Sequence, residues 1–69
     1  MKFKFYVDFF RGINEWSVRE LSKRSGVSRS YIQLLEKNDS GVNPTIATMQ
    51  KLADVFKTEP GELFRKIDD

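Results

Sequence analysis

Twenty consecutive residues, Ser17-Val18-Arg19-Glu20-Leu21-Ser22-Lys23-Arg24-Ser25-Gly26-Val27-Ser28-Arg29-Ser30-Tyr31-Ile32-Gln33-Leu34-Leu35-Glu36, constrain this chain more than the rest of it together. They read as two short helices joined by a tight turn. Ser17 is a good N-cap, and Glu20 three residues later completes a capping box. Trp16 and Leu21 lie at the spacing of a hydrophobic staple. This helix runs to about Arg24. Gly26 stands where the chain must turn sharply with a positive φ, which glycine adopts without a Cβ penalty. Ser28 caps a second helix that runs to about Lys37. Leu21, Val27, Ile32 and Leu35 make the apolar skeleton, and the small Ser22 lets the helices cross closely.

The turn is too short for a parallel return, so the helices must cross steeply. The second helix then projects its leading edge outward. That edge holds Ser28, Arg29, Ser30 and Tyr31, with Gln33, Leu34 and Lys37 further along. These residue types suit duplex DNA. Arginine can bond bidentately to guanine O6 and N7. Serine hydroxyls reach base edges or phosphates, and a tyrosine hydroxyl or a lysine reaches a phosphate. The free N–H groups that open the first helix, at Ser17 and Val18, also suit a phosphate. A plain two-helix corner in a bundle needs a cap, a glycine and an apolar skeleton as well. It does not need this whole spacing.

Charge agrees with the pattern without deciding it. The net charge is only +2. Residues 11–37 nevertheless carry six basic groups against three acidic ones, whereas residues 51–69 carry four against five. The positive bias sits on the helix pair, where it suits a polyanion. On charge alone, a solvated charged surface is the simpler account.

Elsewhere the apolar residues follow a mostly helical period. Phe3, Val7, Phe10 and Ile13 predict a helix over about residues 3–13. Lys2-Phe3-Lys4-Phe5 alternates like a strand, but the run is shorter than the helical pattern. Asn38-Asp39-Ser40-Gly41-Val42-Asn43-Pro44 is a turn-rich loop. Thr45 or Asn43 caps a fourth helix bearing Ile46, Met49, Leu52, Ala53 and Phe56 on one face. Pro60 suits the first position of a last short helix with apolar Leu63, Phe64 and Ile67. The expected fold is one all-α domain over residues 1–69, a compact bundle of five helices.

Several functions are disfavoured by composition. The chain has no cysteine and no histidine, which removes disulfides, thiolate metal sites and the usual general base. Its carboxylates, lysines and hydroxyls form no recognisable pair or triad. Glu59 and Glu62 at the start of a short helix complement its dipole. Neither an enzyme nor a cofactor or bound metal is expected. Met1–Phe10 is aromatic but broken by Lys2, Lys4 and Asp8, unlike a signal peptide, and nothing approaches membrane-spanning length. A cytoplasmic location is expected.

The chain resembles the lambda-repressor-like helix-turn-helix family, also called the Cro/CI or XRE family, over about residues 3–66. The carriers are Arg11, Ser17, Leu21-Ser22, Gly26-Val27-Ser28, Ile32 and Glu36, with Pro44-Thr45-Ile46, Leu52-Ala53 and Glu62-Leu63-Phe64. The resemblance implies a bundle of five helices and binding to double-stranded operator DNA, usually as a two-fold homodimer on a palindrome. It implies base contacts from Ser28, Arg29, Ser30 and Leu34, and phosphate contacts near Val18, Tyr31, Lys37 and Asn43. It also implies an Arg11–Glu36 pair that holds the recognition helix. Lys57, Leu63, Phe64 and Ile67 are candidates for part of a dimer contact. A small transcriptional regulator is the expected function. The alternative is a protein-interaction module on the same fold, such as the antitoxin of a toxin–antitoxin pair.

Three departures from the family pattern stand out. Valine occupies position 18, where the family usually has glutamine, so only its backbone N–H can serve a phosphate. Leu34 can touch a thymine methyl but cannot hydrogen-bond a base. Phe5, Tyr6 and Phe9 stand where the pattern is polar. Phe5 and Phe9 are expected either to meet a protein partner or to enter a wider core, if the first helix is rotated or the C-terminal segment folds over it.

Overall fold

The two ends of the chain meet. In the computed structural model, which describes residues 2–37 and 43–67, strand β1 (Lys2–Phe5) pairs antiparallel with strand β2 (Phe64–Ile67). The register sets Lys2 against Ile67 and Phe5 against Phe64. Between them run α1 (Val7–Ile13), α2 (Val18–Ser25), α3 (Arg29–Glu36) and α4 (Ile46–Phe56), then a 3-10 turn over Pro60–Glu62. The expected loop residues Asn38 to Val42 lie outside the described residues.

The described fold is therefore four α-helices with a small two-stranded sheet, rather than five helices. The predicted helix over residues 3–13 begins only at Val7, and the predicted last helix is a 3-10 turn followed by a strand. The reason is long-range. A two-stranded ribbon is marginal by itself, so neither four-residue run becomes a strand without support. Here the support is aromatic. Phe3 meets Phe64 edge to face at 5.6 Å between ring centres, and Phe5 packs on Phe64 at 6.3 Å. The Tyr6 N–H donates to the Leu63 carbonyl at 2.7 Å, which ties the strand ends together.

This pairing separates the two phenylalanines. Phe5 is 4% exposed and belongs to the core, because the C-terminal segment folds over it. Phe9 is 59% exposed. Ile13 is also exposed, so Phe3, Val7, Phe10 and Ile13 do not form one face. The remaining core is Val7, Leu21, Val27, Ile32, Leu35, Met49, Leu52, Ala53, Phe56 and Leu63. Ile46 was expected on the apolar face of α4 but stands out from its first turn at 85% exposure.

Trp16 serves as the anchor between α1 and α2. Its ring stacks on Phe56 at 5.9 Å, and the Arg24 guanidinium lies over it at 4.6 Å. The aromatic residue placed for a staple to Leu21 thus finds its ring partner on α4.

Candidate nucleic-acid interface

The corner is built as its residues dictate. Ser17 Oγ accepts from the Glu20 N–H at 3.0 Å, capping α2. The Glu20 carboxylate takes Arg24 Nε at 2.8 Å. At the other end Gly26 has φ +79°, and its N–H reaches the Ser22 carbonyl at 2.9 Å. A side chain would strain that left-handed conformation. Ser25 Oγ accepts from the Val27 N–H at 3.1 Å, and Ser28 Oγ accepts from the Tyr31 N–H at 3.2 Å. Leu21, Ile32 and Leu35 are fully buried and Val27 nearly so.

The expected ion pair is present. Arg11 Nε donates to Glu36 Oε2 at 2.8 Å, and its second amino group donates to Oε1 at 2.9 Å. The third guanidinium nitrogen donates to the Trp16 carbonyl at 3.0 Å. One planar group therefore joins α1, the loop before α2 and the end of α3. Its fork matches the carboxylate bidentately, which lysine could not do. The hydrogen bonds to Glu36 raise the Arg11 pKa above its ordinary value, helped by the charges of Glu36 and Asp8 and opposed by burial.

With α3 fixed from behind, its outer side is presented. Ser28, Arg29, Ser30, Gln33 and Lys37 are exposed, and Leu34 is 40% exposed. Arg29 and Lys37 have no ion-pair partner among the described residues. The arrangement is an exposed polar and cationic face on a rigidly seated helix. Ser17 is exposed at the start of α2, while Val18 is half-buried and packed against the core. Its N–H, among the first of the helix, has no intrahelical acceptor. Asn43 is exposed just before α4.

Tyr31 lies on the flank of α3, half-buried. It borders a shallow hollow of about 410 Å³ shared with Ser28 and with Thr45, Thr48 and Lys51. Sequence reasoning gave Thr45 a capping role, which it has, and gave Thr48 and Lys51 none. Nothing local signals that the start of α4 abuts the start of α3.

One candidate dimer contact is corrected. Leu63 is fully buried within its own chain and offers no surface to a partner. Lys57 is exposed and Phe64 half-buried, while the Ile67 side chain lies outside the described residues. Among the described residues no cluster of acidic residues could hold a metal ion, and no helix is long and apolar enough to cross a membrane.

Comparison with known proteins agrees with this geometry. The helix-turn-helix family model matches residues 11–63, more than half of the chain. The chain belongs to that family, the XRE-type helix-turn-helix proteins. Among solved structures, it is similar to SinR, described as the master regulator for biofilm formation and crystallised in complex with DNA. The similarity has a TM-score of 0.72 at 27% identity, over 80% of this chain and 86% of that one. No curated protein matches the chain.

Proposed function

We propose that this protein binds double-stranded DNA in a sequence-specific manner and acts in the cytoplasm as a small transcriptional regulator, as a homodimer on a palindromic operator. The observation that carries the reading is the outer face of α3. Arg29, Ser30, Gln33 and Lys37 are exposed on a helix whose back is locked by buried Ile32 and Leu35 and by the Arg11–Glu36 fork. Arg29 reads a guanine, Ser28 and Ser30 reach base edges or phosphate, and Leu34 touches a thymine methyl. Lys37, Tyr31, Asn43 and the start of α2 at Ser17 and Val18 hold phosphates. The likeness to a regulator solved on DNA supports the same use of this face.

Two recognition helices related by a two-fold axis would sit in successive major grooves, about 34–36 Å apart. An apolar groove supports the dimer. It is lined by Phe3, Phe5, Met49 and Phe64 and bordered by the exposed Ile46. Occupancy of the operator is then the mechanism of regulation.

Selection from random duplexes is the direct experiment. A palindromic consensus is expected, with affinity falling steeply as salt rises. Arg29→Ala should relax preference at one base position by about 1–3 kcal/mol. Loss of neither affinity nor base preference in that variant would remove α3 from the reading.

A second reading is favoured by one observation. Phe9 and Ile13 lie one turn apart on α1, at 59% and 63% exposure. Such a pair suits a protein partner, as on an antitoxin or bridging factor. A protein working only in that way would bind duplex DNA with little salt dependence.

A further inference from the structure

We propose that the outer face of α1 docks a helix of a different protein, one whose apolar stripe is flanked by lysines or arginines about two turns apart. The inference rests on the reading of α1 as a protein contact, and adds the partner's chemistry and the side from which it comes. Phe9 and Ile13 are 59% and 63% exposed, and Asp8 and Gly12 are exposed beside them. At about 100° per residue, Phe9 and Ile13 each stand roughly 160° around the helix from Arg11. Arg11 is the side chain that grips Glu36 on α3. The patch is therefore turned away from the recognition helix, and a partner seated on it leaves α3 free for DNA.

Gly12 gives this face its shape. Its φ is not positive, and a Cβ built there would meet nothing within 4 Å. Neither the backbone nor packing within the chain calls for glycine, which weakens a helix relative to alanine. The missing side chain leaves a notch beside Phe9. How closely two helices approach depends on the side chains at their contact, so a notch between projecting apolar residues suits a facing helix.

Charge selects the partner. Asp8 lies in the first turn of α1 and Glu15 two residues beyond the last. Both are exposed and have no ion-pair partner among the described residues. The one cation of α1, Arg11, is engaged by Glu36. At about 1.5 Å per residue, roughly 10 Å separates the two acids along the helix. A second copy laid on this face, parallel or antiparallel, would set acid against acid at both ends. A helix with basic residues seven positions apart sets opposite charges there.

The test uses the full chain and two probes. One is a helical peptide of about five turns with a leucine stripe flanked by lysines seven positions apart; the other has glutamates for the lysines. The lysine peptide should bind and shift the amide resonances of Phe9, Gly12 and Ile13. Phe9→Ser with Ile13→Ser should weaken it about tenfold, and Asp8→Asn with Glu15→Gln about three- to fivefold. Gly12→Leu fills the notch and should also weaken it about tenfold, with the thermal midpoint unchanged or higher. The serine pair should leave affinity for the selected duplex and its salt slope unchanged. No binding by the lysine peptide, equal binding by the glutamate peptide, or full binding by the serine pair or by Gly12→Leu overturns the proposal. So does self-association of the unaltered chain that the serine pair abolishes; α1 is then still a protein contact, but with a second copy. If neither peptide binding nor association responds to the serine pair, the protein-contact reading fails as well, and steep salt-dependent binding to the duplex leaves the DNA reading standing alone.

Discussion

The helix-turn-helix corner and the paired ends are held by different means. The corner is built from contacts within about twenty residues: serine caps, a left-handed glycine and four buried aliphatic side chains. The sheet joins residues 59 to 65 positions apart, and its rings supply what its few backbone hydrogen bonds cannot. The corner presents residues outward from a locally determined scaffold. The ends close the core over Phe5 and Leu63. Disturbing the ends should therefore change stability most, and disturbing the outer face of the corner should change binding most.

The largest expected effect tests that division. Phe5→Ala removes a buried ring that touches Phe64, and should cost roughly 3–5 kcal/mol. A domain of this size has only about 3–10 kcal/mol in total, so a large fall in thermal midpoint should follow. Phe9→Ser removes an exposed ring and should stay within about 0.5 kcal/mol. Circular dichroism melts with sedimentation separate the two. A stable Phe5→Ala chain would show that the sheet closes nothing. A Phe9→Ser chain with an altered association state would place a protein contact on α1.

The corner was legible because each of its signals is local. Ser17, Gly26 and Ser28 act on backbone groups three or four residues away, and the 3.6-residue period marks Leu21, Ile32 and Leu35 as core. Arg11 and Glu36 are 25 residues apart, and they were legible only through the family pattern. The ends were misread because the alternation of Lys2-Phe3-Lys4-Phe5 has meaning only once Phe64–Ile67 lies alongside. Local periodicity favours helix in both places, and tertiary pairing overrides it. The place of Thr48 and Lys51 beside Tyr31 escapes sequence reading for a similar reason, since it depends on how α4 approaches α3.

The Arg11–Glu36 fork links the two regions, and its removal ranks second. Glu36→Ala leaves a guanidinium that is only 26% exposed with the Trp16 carbonyl as its remaining partner. The expected cost is about 2–3 kcal/mol, less than for a fully buried pair because both groups retain some contact with water. Removing both partners should cost less than the sum of the single changes, by the coupling that a double-mutant cycle measures. The raised Arg11 pKa fixes the sign of its pH dependence. The arginine's contribution is fully present below its unfolded pKa and is lost only as pH rises through the higher folded value. That window is strongly alkaline, so the guanidinium is no switch near neutrality. DNA affinity should fall along with stability if the fork orients α3. Unchanged affinity at a temperature where the variant remains folded would reduce the fork to a structural tie.

The third effect on stability, smaller than that of the fork, is the most informative about the corner, because Ser28 is asked to do two things. As the N-cap of α3 it accepts from the Tyr31 N–H, and as an exposed residue it is proposed to face DNA. Ser28→Ala should cost about 1 kcal/mol of stability. Ser28→Asp should recover most of that, since aspartate caps as well as serine and its charge suits the helix N-terminus. The same carboxylate would meet phosphates across the interface, so DNA binding should fall well below that of the alanine variant. A melt and a DNA titration on the two variants therefore move in opposite directions. If aspartate restores binding together with stability, Ser28 is only a cap, and reading by this helix begins at Arg29.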